Sequence, residues 1–253
     1  MIRRIAIVML VMLLAGTVSP ALHAQQKTIA IPKVSLEVGK ATKPDDVAVT
    51  LQILFLMTIL SLAPALFILT TSFTRIIVVL HFLKQAMGTP QMPPSQVLVG
   101  LAMFLTFFVM APVWNKVNTV ALQPYLNNQV TMNEAYNRGI EPLREFMFKQ
   151  TREEDLALFV KMAHLEKPES RADLPTYVLI PAFAISELRA GFQIGFLVFI
   201  PFLIIDVVIA SALMSMGMMM LPPVMISMPF KILLFILVDG WHLVVGSILT
   251  SYQ

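Results

Sequence analysis

Polar and apolar positions along this chain fall into blocks. Apolar side chains fill residues 47–69, 97–113, 177–220 and 232–249 with few interruptions. About 20 helical residues cross the roughly 30 Å hydrocarbon layer of a bilayer, so these blocks read as membrane-class helices. No stretch alternates with the period of two that a half-buried strand requires. The fold class expected is therefore all-α, an integral membrane-class protein with long, broken helices. Pro64 predicts a kink that neighbouring helices absorb. Residues 177–220 are too long for one simple span and predict two helical pieces or one long bent helix. Within them Gly191 and Gly195 have the spacing that permits close helix approach. The Pro222-Pro223 pair predicts that this helix stops or bends near Leu221, since proline fixes φ and removes a backbone donor.

The polar blocks divide the chain further. Residues 1–24 have the plan of a secretory signal peptide: Arg3 and Arg4, then a short apolar core, then a small residue, Ala24, after which cleavage is expected, with an uncleaved anchor as the alternative. Residues 25–46 are a polar tail without a core of its own. Residues 47–113 read as a first apolar hairpin whose connecting segment carries Arg75, His81 and Lys84 and no acid. The positive-inside rule puts that segment on the cytoplasmic side and gives Arg75 and Lys84 a topological role. Residues 114–176 mix acids and bases in near-equal number and predict two or three amphipathic helices on the periplasmic side. Thr131 with Glu134, and Thr151 with Glu154, have capping-box spacing. Glu141-Pro142 suits a helix start, with Leu143, Phe146 and Met147 on one face. Leu156, Phe159, Val160 and Ala163 follow at helical spacing. Residues 177–253 form a second apolar hairpin.

Composition sharpens this picture. Of the 253 residues 57% are hydrophobic, cysteine is absent, and the net charge is +3. That excludes disulfides and thiolate chemistry and argues against a nucleic-acid partner. His23, His81, His164 and His242 have no metal-ligand spacing. No phosphate-binding loop or nucleophile elbow is present. Asp206 and Asp239 lack the surroundings of an intramembrane aspartyl protease, so no enzyme activity, catalytic residue, cofactor or metal is expected. From Tyr177 onward the charged side chains are Glu187, Arg189, Asp206, Lys231 and Asp239. Each is costly against lipid and is expected to be buried against protein or to line a water-filled cavity. None has a good partner nearby in sequence, which predicts partners on other helices or other copies of the chain.

Residues 213–231, LMSMGMMMLPPVMISMPFK, concentrate methionine between two apolar helices. Methionine is flexible and polarizable and suits a surface that packs against varying shapes. On the residues alone this stretch is either a buried helix end or a deformable constriction.

Three blocks carry a resemblance over about residues 47–253: GMMMLPPVMISMPFKILLFILVDGWHLVVGSI, TTSFTRIIVVLHFLKQAMGTPQMPPSQVLVGLAMFLTFFVMAPVWN and IPAFAISELRAGFQIGFLVFIPFLIIDVVIASALMSMGMM. They resemble the flagellar FliP family, subunits of the type III protein-export gate. The resemblance implies a non-enzymatic pore subunit of the bacterial inner membrane. Several copies would assemble with FliQ-like and FliR-like subunits and other export proteins into a helical, ring-like complex lifted toward the periplasm. Its substrates would be unfolded flagellar axial proteins. The resemblance also places Met218, Met219 and Met220 at a pore gasket and pairs Glu187 with Lys231 between adjacent subunits. Two alternatives stand beside it. A virulence-type export subunit usually lacks residues like 1–46, and a small-molecule secondary transporter is expected to show an internal repeat that is absent here.

Overall fold

The computed structural model describes residues 44–89, 91–165, 173–218 and 220–253, and for residues 44–50 it describes the backbone alone. The signal peptide, its cleavage after Ala24, and most of the polar tail lie outside the described residues. Residues 52–253 form one compact unit. Of residues 1–51, the described part is the start of helix α1, Pro44–Thr70.

Every regular element among the described residues is helical. Residues 51–70 of α1 include no buried residue: most of their Leu, Ile, Phe and Met side chains are exposed, and Ile53 and Phe67 are half-buried, Phe67 with its ring 6.1 Å from that of Phe107. The hydroxyls of Thr58, Ser61 and Thr70 donate to carbonyls four residues back, at 2.8, 2.8 and 2.7 Å. Closing polar groups onto the helix's own backbone is what an apolar solvent demands.

Helix α2, Phe73–Met87, is the centre of the molecule. Ile76, Val79, Leu80, Leu83 and Ala86 are fully buried. Around them pack Leu98 and Ala102, Phe202, Phe235, Val244 and Ile248 from later helices. This corrects the expectation that Arg75 and Lys84 sit on a connecting loop: Arg75 is buried within the core helix. Burial is possible because α7, Thr176–Ser215, comes very close. A Cβ on Gly191 would meet Val78 at 3.1 Å and the Arg75 carbonyl oxygen at 3.3 Å; one on Gly195 would meet Phe82 at 2.6 Å. The GxxxG spacing is thus used within the chain.

Helix α3, Ser95–Val117, runs on through a π-helical turn, Asn118–Leu122, into α4, Gln123–Leu126. Helix α5, Met132–Gln150, starts at Thr131 with the expected capping box. The helix start expected at Glu141-Pro142 is absent; Pro142 lies inside α5. Proline there forfeits one intrahelical bond, and the helix persists because Pro142, Arg144 and Met147 are buried on its packed face. The second capping box is also absent. Thr151 ends α5, and its hydroxyl donates back to the Met147 carbonyl oxygen at 2.7 Å, so α6, Glu153–Met162, begins at Arg152 without a side-chain cap. Met147, Phe148, Val178, Leu179 and Phe183 form a second core that Leu156, Phe159 and Val160 cover. Arg144 anchors the chain entering α7, donating to Thr176 Oγ1 at 2.6 Å and to the Leu174 carbonyl oxygen at 2.7 Å.

Helix α7 is one unbroken helix of 40 residues that contains Pro181 and Pro201. At 1.5 Å per residue it is about 60 Å long, twice the hydrocarbon thickness. It ends at Ser215, before the expected stop near Leu221. Gly217 adopts φ +76°, Met218 N–H donates to the Leu213 carbonyl oxygen at 3.0 Å, and Gly217 N–H to that of Met214 at 3.0 Å. This Schellman pattern stops the helix before the prolines are reached. Helices α8, Pro223–Leu237, and α9, Gly240–Thr250, form a pair bent by 66°. Asp239 takes a left-handed conformation at the bend, and Gly240 packs so tightly on the Phe235 ring that no side chain fits there. Helices α1, α3–α4 and α7 are each long and apolar enough to cross a membrane, and the bent pair is a fourth candidate.

Candidate functional site

Two features stand out from the packing: a turn of exposed methionines, and the places where buried charges meet.

The turn joins α7 to α8. Met218 is 41% exposed and Met220 98%. Met216 and Leu221 beside them are exposed too, while Met219 lies outside the described residues. The reason is local. The Schellman stop turns the chain off the helix, and Pro222 in extended geometry leads into α8, whose first residue is Pro223. Proline at a first helical position loses nothing, because that N–H has no intrahelical partner. An apolar, flexible tip is thereby held out from the rest of the chain.

The larger charged cluster surrounds Arg75 and Glu187, an ion pair that is almost wholly buried. Arg75 also donates to the Ser251 carbonyl oxygen at 2.9 Å, to Ser251 Oγ at 3.0 Å and to Gln150 Oε1 at 3.1 Å. Its guanidinium lies 4.0 Å from the centre of the Tyr252 ring. The Tyr252 hydroxyl donates to Glu187 Oε2 at 2.8 Å and approaches the Ser72 carbonyl oxygen at 3.1 Å. Burial first, and the Glu187 carboxylate second, push that hydroxyl well above its ordinary pKa, so it remains a donor. The adjacent Ser186 serves another element: its hydroxyl donates to Asp155 Oδ2 at 2.7 Å and accepts from the Arg152 N–H at 3.1 Å. The start of α2, the end of α5, the start of α6, the first third of α7 and residues 251–252 thus meet at one polar seam.

The second pair is Lys231 with Asp206, Nζ to Oδ2 at 2.6 Å. Ser227 donates to the other oxygen, Oδ1, at 2.5 Å. Glu187 and Lys231 therefore each have a partner inside the chain. The motive for pairing them between copies, that both are isolated charges, does not hold once the chain is folded. Asp206 and Glu187 both lie on α7, about 28 Å apart along its axis. Arg189 and Asp239, expected to be buried, are exposed in the chain; Arg189 pairs with Glu154 at 3.3 Å.

Sequence reasoning gave Arg75 a topological role only, and it passed over Tyr252 and Ser227. For Arg75 a further signal existed, a lone cation followed by the apolar run Ile76–Ile77–Val78–Val79–Leu80. For Tyr252 and Ser227 there was none, because their partners lie 65 and 21 residues away.

The sequence model described as the FliP family matches residues 56–248. Among curated proteins, the flagellar biosynthetic protein FliP of Bacillus subtilis (strain 168) is 56% identical over 217 residues, covering 86% of this chain and 98% of the relative. That of Pectobacterium carotovorum is 55% identical over 203 residues, covering 80% of this chain and 79% of the relative. That of Caulobacter vibrioides is 46% identical over 252 residues, covering 100% of this chain and 92% of the relative.

Proposed function

The chain belongs to the FliP family, and on that premise we propose that it is a pore-forming, non-enzymatic subunit of the flagellar type III protein-export gate. It is a membrane component of the export apparatus, and its work is passage of unfolded flagellar axial proteins. The relatives are named as flagellar proteins, which favours this branch over a virulence-type exporter. Several copies assemble with FliQ-like and FliR-like subunits in the inner membrane. One feature supports assembly over a solitary span: α7 is about 60 Å long, twice what a single crossing of the hydrocarbon needs.

The observation that carries the reading is the methionine turn. It projects exposed thioether side chains from between two apolar helices, on a backbone closed by its own hydrogen bonds. Repeated around a ring, Met218, Met219 and Met220 form a gasket. Such a gasket excludes water and ions when closed and deforms around a polypeptide of changing shape. Its chemistry is volume and flexibility, with no reacting group.

The test is replacement of all three by Ala in the assembled complex, with single-channel conductance or leak-dependent growth inhibition as the measurement. Assembly is expected to persist while ions leak, and triple Leu is expected to seal better than triple Ala because it keeps most of the volume. A triple-Ala complex as ion-tight as the parent places the seal elsewhere and overturns the reading.

A further inference from the structure

We infer that Asp206 is the positioning residue of the methionine turn, acting through Ser227 and Lys231 on the helix that follows it. The clamp stands on its own geometry, and its consequence for sealing rests on the gate reading above.

Among the described residues, the turn's backbone hydrogen bonds run only to near neighbours: Gly217 to Met214, Met218 to Leu213, and Leu221 to Met218. The turn therefore takes its position from its two flanks. The α8 flank is apolar almost all round, with Val224, Met225, Phe230, Leu233, Ile236 and Leu237 exposed. Only Ser227, Lys231 and Phe235 are buried on that helix, at four-residue steps along one stripe. A helix apolar on every side has little to choose between neighbouring rotations, since each buries similar area. A buried polar pairing makes that choice, which is its best-attested use.

Asp206 makes it here with one carboxylate. Oδ1 accepts from Ser227 at 2.5 Å and Oδ2 from Lys231 at 2.6 Å, so two successive turns of α8 are tied to a single point on α7. The Lys231 ammonium also lies beside the C-terminal end of α2, where the helix dipole favours a cation. A Cβ added to Gly88, the cap of α2, would lie 3.5 Å from Lys231 Nζ and 3.6 Å from Val224. Asp206 thus closes a three-element contact between α2, α7 and α8. From Asp206 helix α7 runs on to Ser215, and from Lys231 helix α8 reaches back to Pro223. The turn therefore projects about 12–14 Å beyond the clamp on two arms of similar length.

The chain has no cysteine, so Met220→Cys offers a unique spin-label site on the turn and Tyr136→Cys a control site on α5. Mobility at each is read by electron paramagnetic resonance in the full-length protein, in the parent and in Asp206→Asn. A shift toward the mobile component at residue 220 alone, reduced in the conservative Asp206→Glu, supports the clamp. An unchanged spectrum at 220, or equal loosening at 220 and 136, overturns it. Where Asp206→Asn fails to accumulate, Asp206→Leu with Lys231→Met leaves no buried charge unpaired and carries the same test. Conductance of complexes that keep Met220 separates the two readings: a mobile turn with an unchanged seal upholds the clamp and counts against the gasket.

Discussion

Exchanging Glu187 and Lys231 discriminates between pairing inside one chain and pairing between copies. If the two residues bond each other across a subunit contact, Glu187→Lys with Lys231→Glu restores the pair with its polarity reversed. In the folded chain the outcome is opposite. The lysine introduced at position 187 would face Arg75, and the glutamate introduced at position 231 would face Asp206. Each single reversal removes one partner of a buried pair, about 3–5 kcal/mol. It also places like charges together, worth about 4 kcal/mol at about 4 Å and an effective dielectric of about 20. The two sites lie about 28 Å apart along α7, so their costs add. The sum reaches the upper end of the about 5–15 kcal/mol by which an ordinary domain is stable, and nothing in the geometry offsets it. The measurement is accumulation and thermal unfolding of the detergent-purified protein, with native gels for assembly. The exchange is expected to be no better than the worse single variant. Exchange within each observed pair, Arg75→Glu with Glu187→Arg or Asp206→Lys with Lys231→Asp, is expected to recover part of the loss. An exchange of Glu187 and Lys231 that outperforms both single variants refutes the reasoning.

Other outcomes follow from the same geometry. Gly195→Leu drives a side chain into Phe82 near its backbone and is expected to cost about 1–3 kcal/mol or more in thermal unfolding, whereas Gly100→Ala, with open space around it, is expected to be near neutral. Gly217→Ala puts a Cβ into a left-handed position and is expected to cost about 1–2 kcal/mol of the helix stop, with Gly217→Asn milder; hydrogen exchange of the Met218 amide is the readout. The Thr131 backbone N–H, and then its hydroxyl, hold the Glu134 carboxyl below its ordinary value. Because the folded value is the lower one, this cap is present above the unfolded carboxyl pKa and lost as pH falls through the folded one. The protection factors of the amides at residues 131–135, taken relative to the intrinsic exchange rate at each pH, are expected to fall on acidification, and Glu134→Gln to flatten that dependence.

What the sequence settled by itself was local. Long apolar runs without strand alternation made the chain helical and membrane-class, because bilayer thickness and backbone hydrogen bonding leave few other solutions. The Thr131 cap was legible because donor and acceptor lie within one turn, and the methionine turn because glycine and proline punctuate it. Where local signals competed, the sequence was ambiguous. Gly217 and Pro222-Pro223 both end helices, and the glycine stop came first, while Pro142 was overridden by the packed face on which it sits. The tertiary structure decided the rest. It made α2 the core in spite of Arg75, through two glycines of α7 that let the helices touch. It also gave Glu187 a partner 112 residues away and Lys231 one 25 residues away. Periodicity reports which face of a helix is apolar. Which charges meet depends on the crossing and register of packed helices, and that follows from three-dimensional proximity alone.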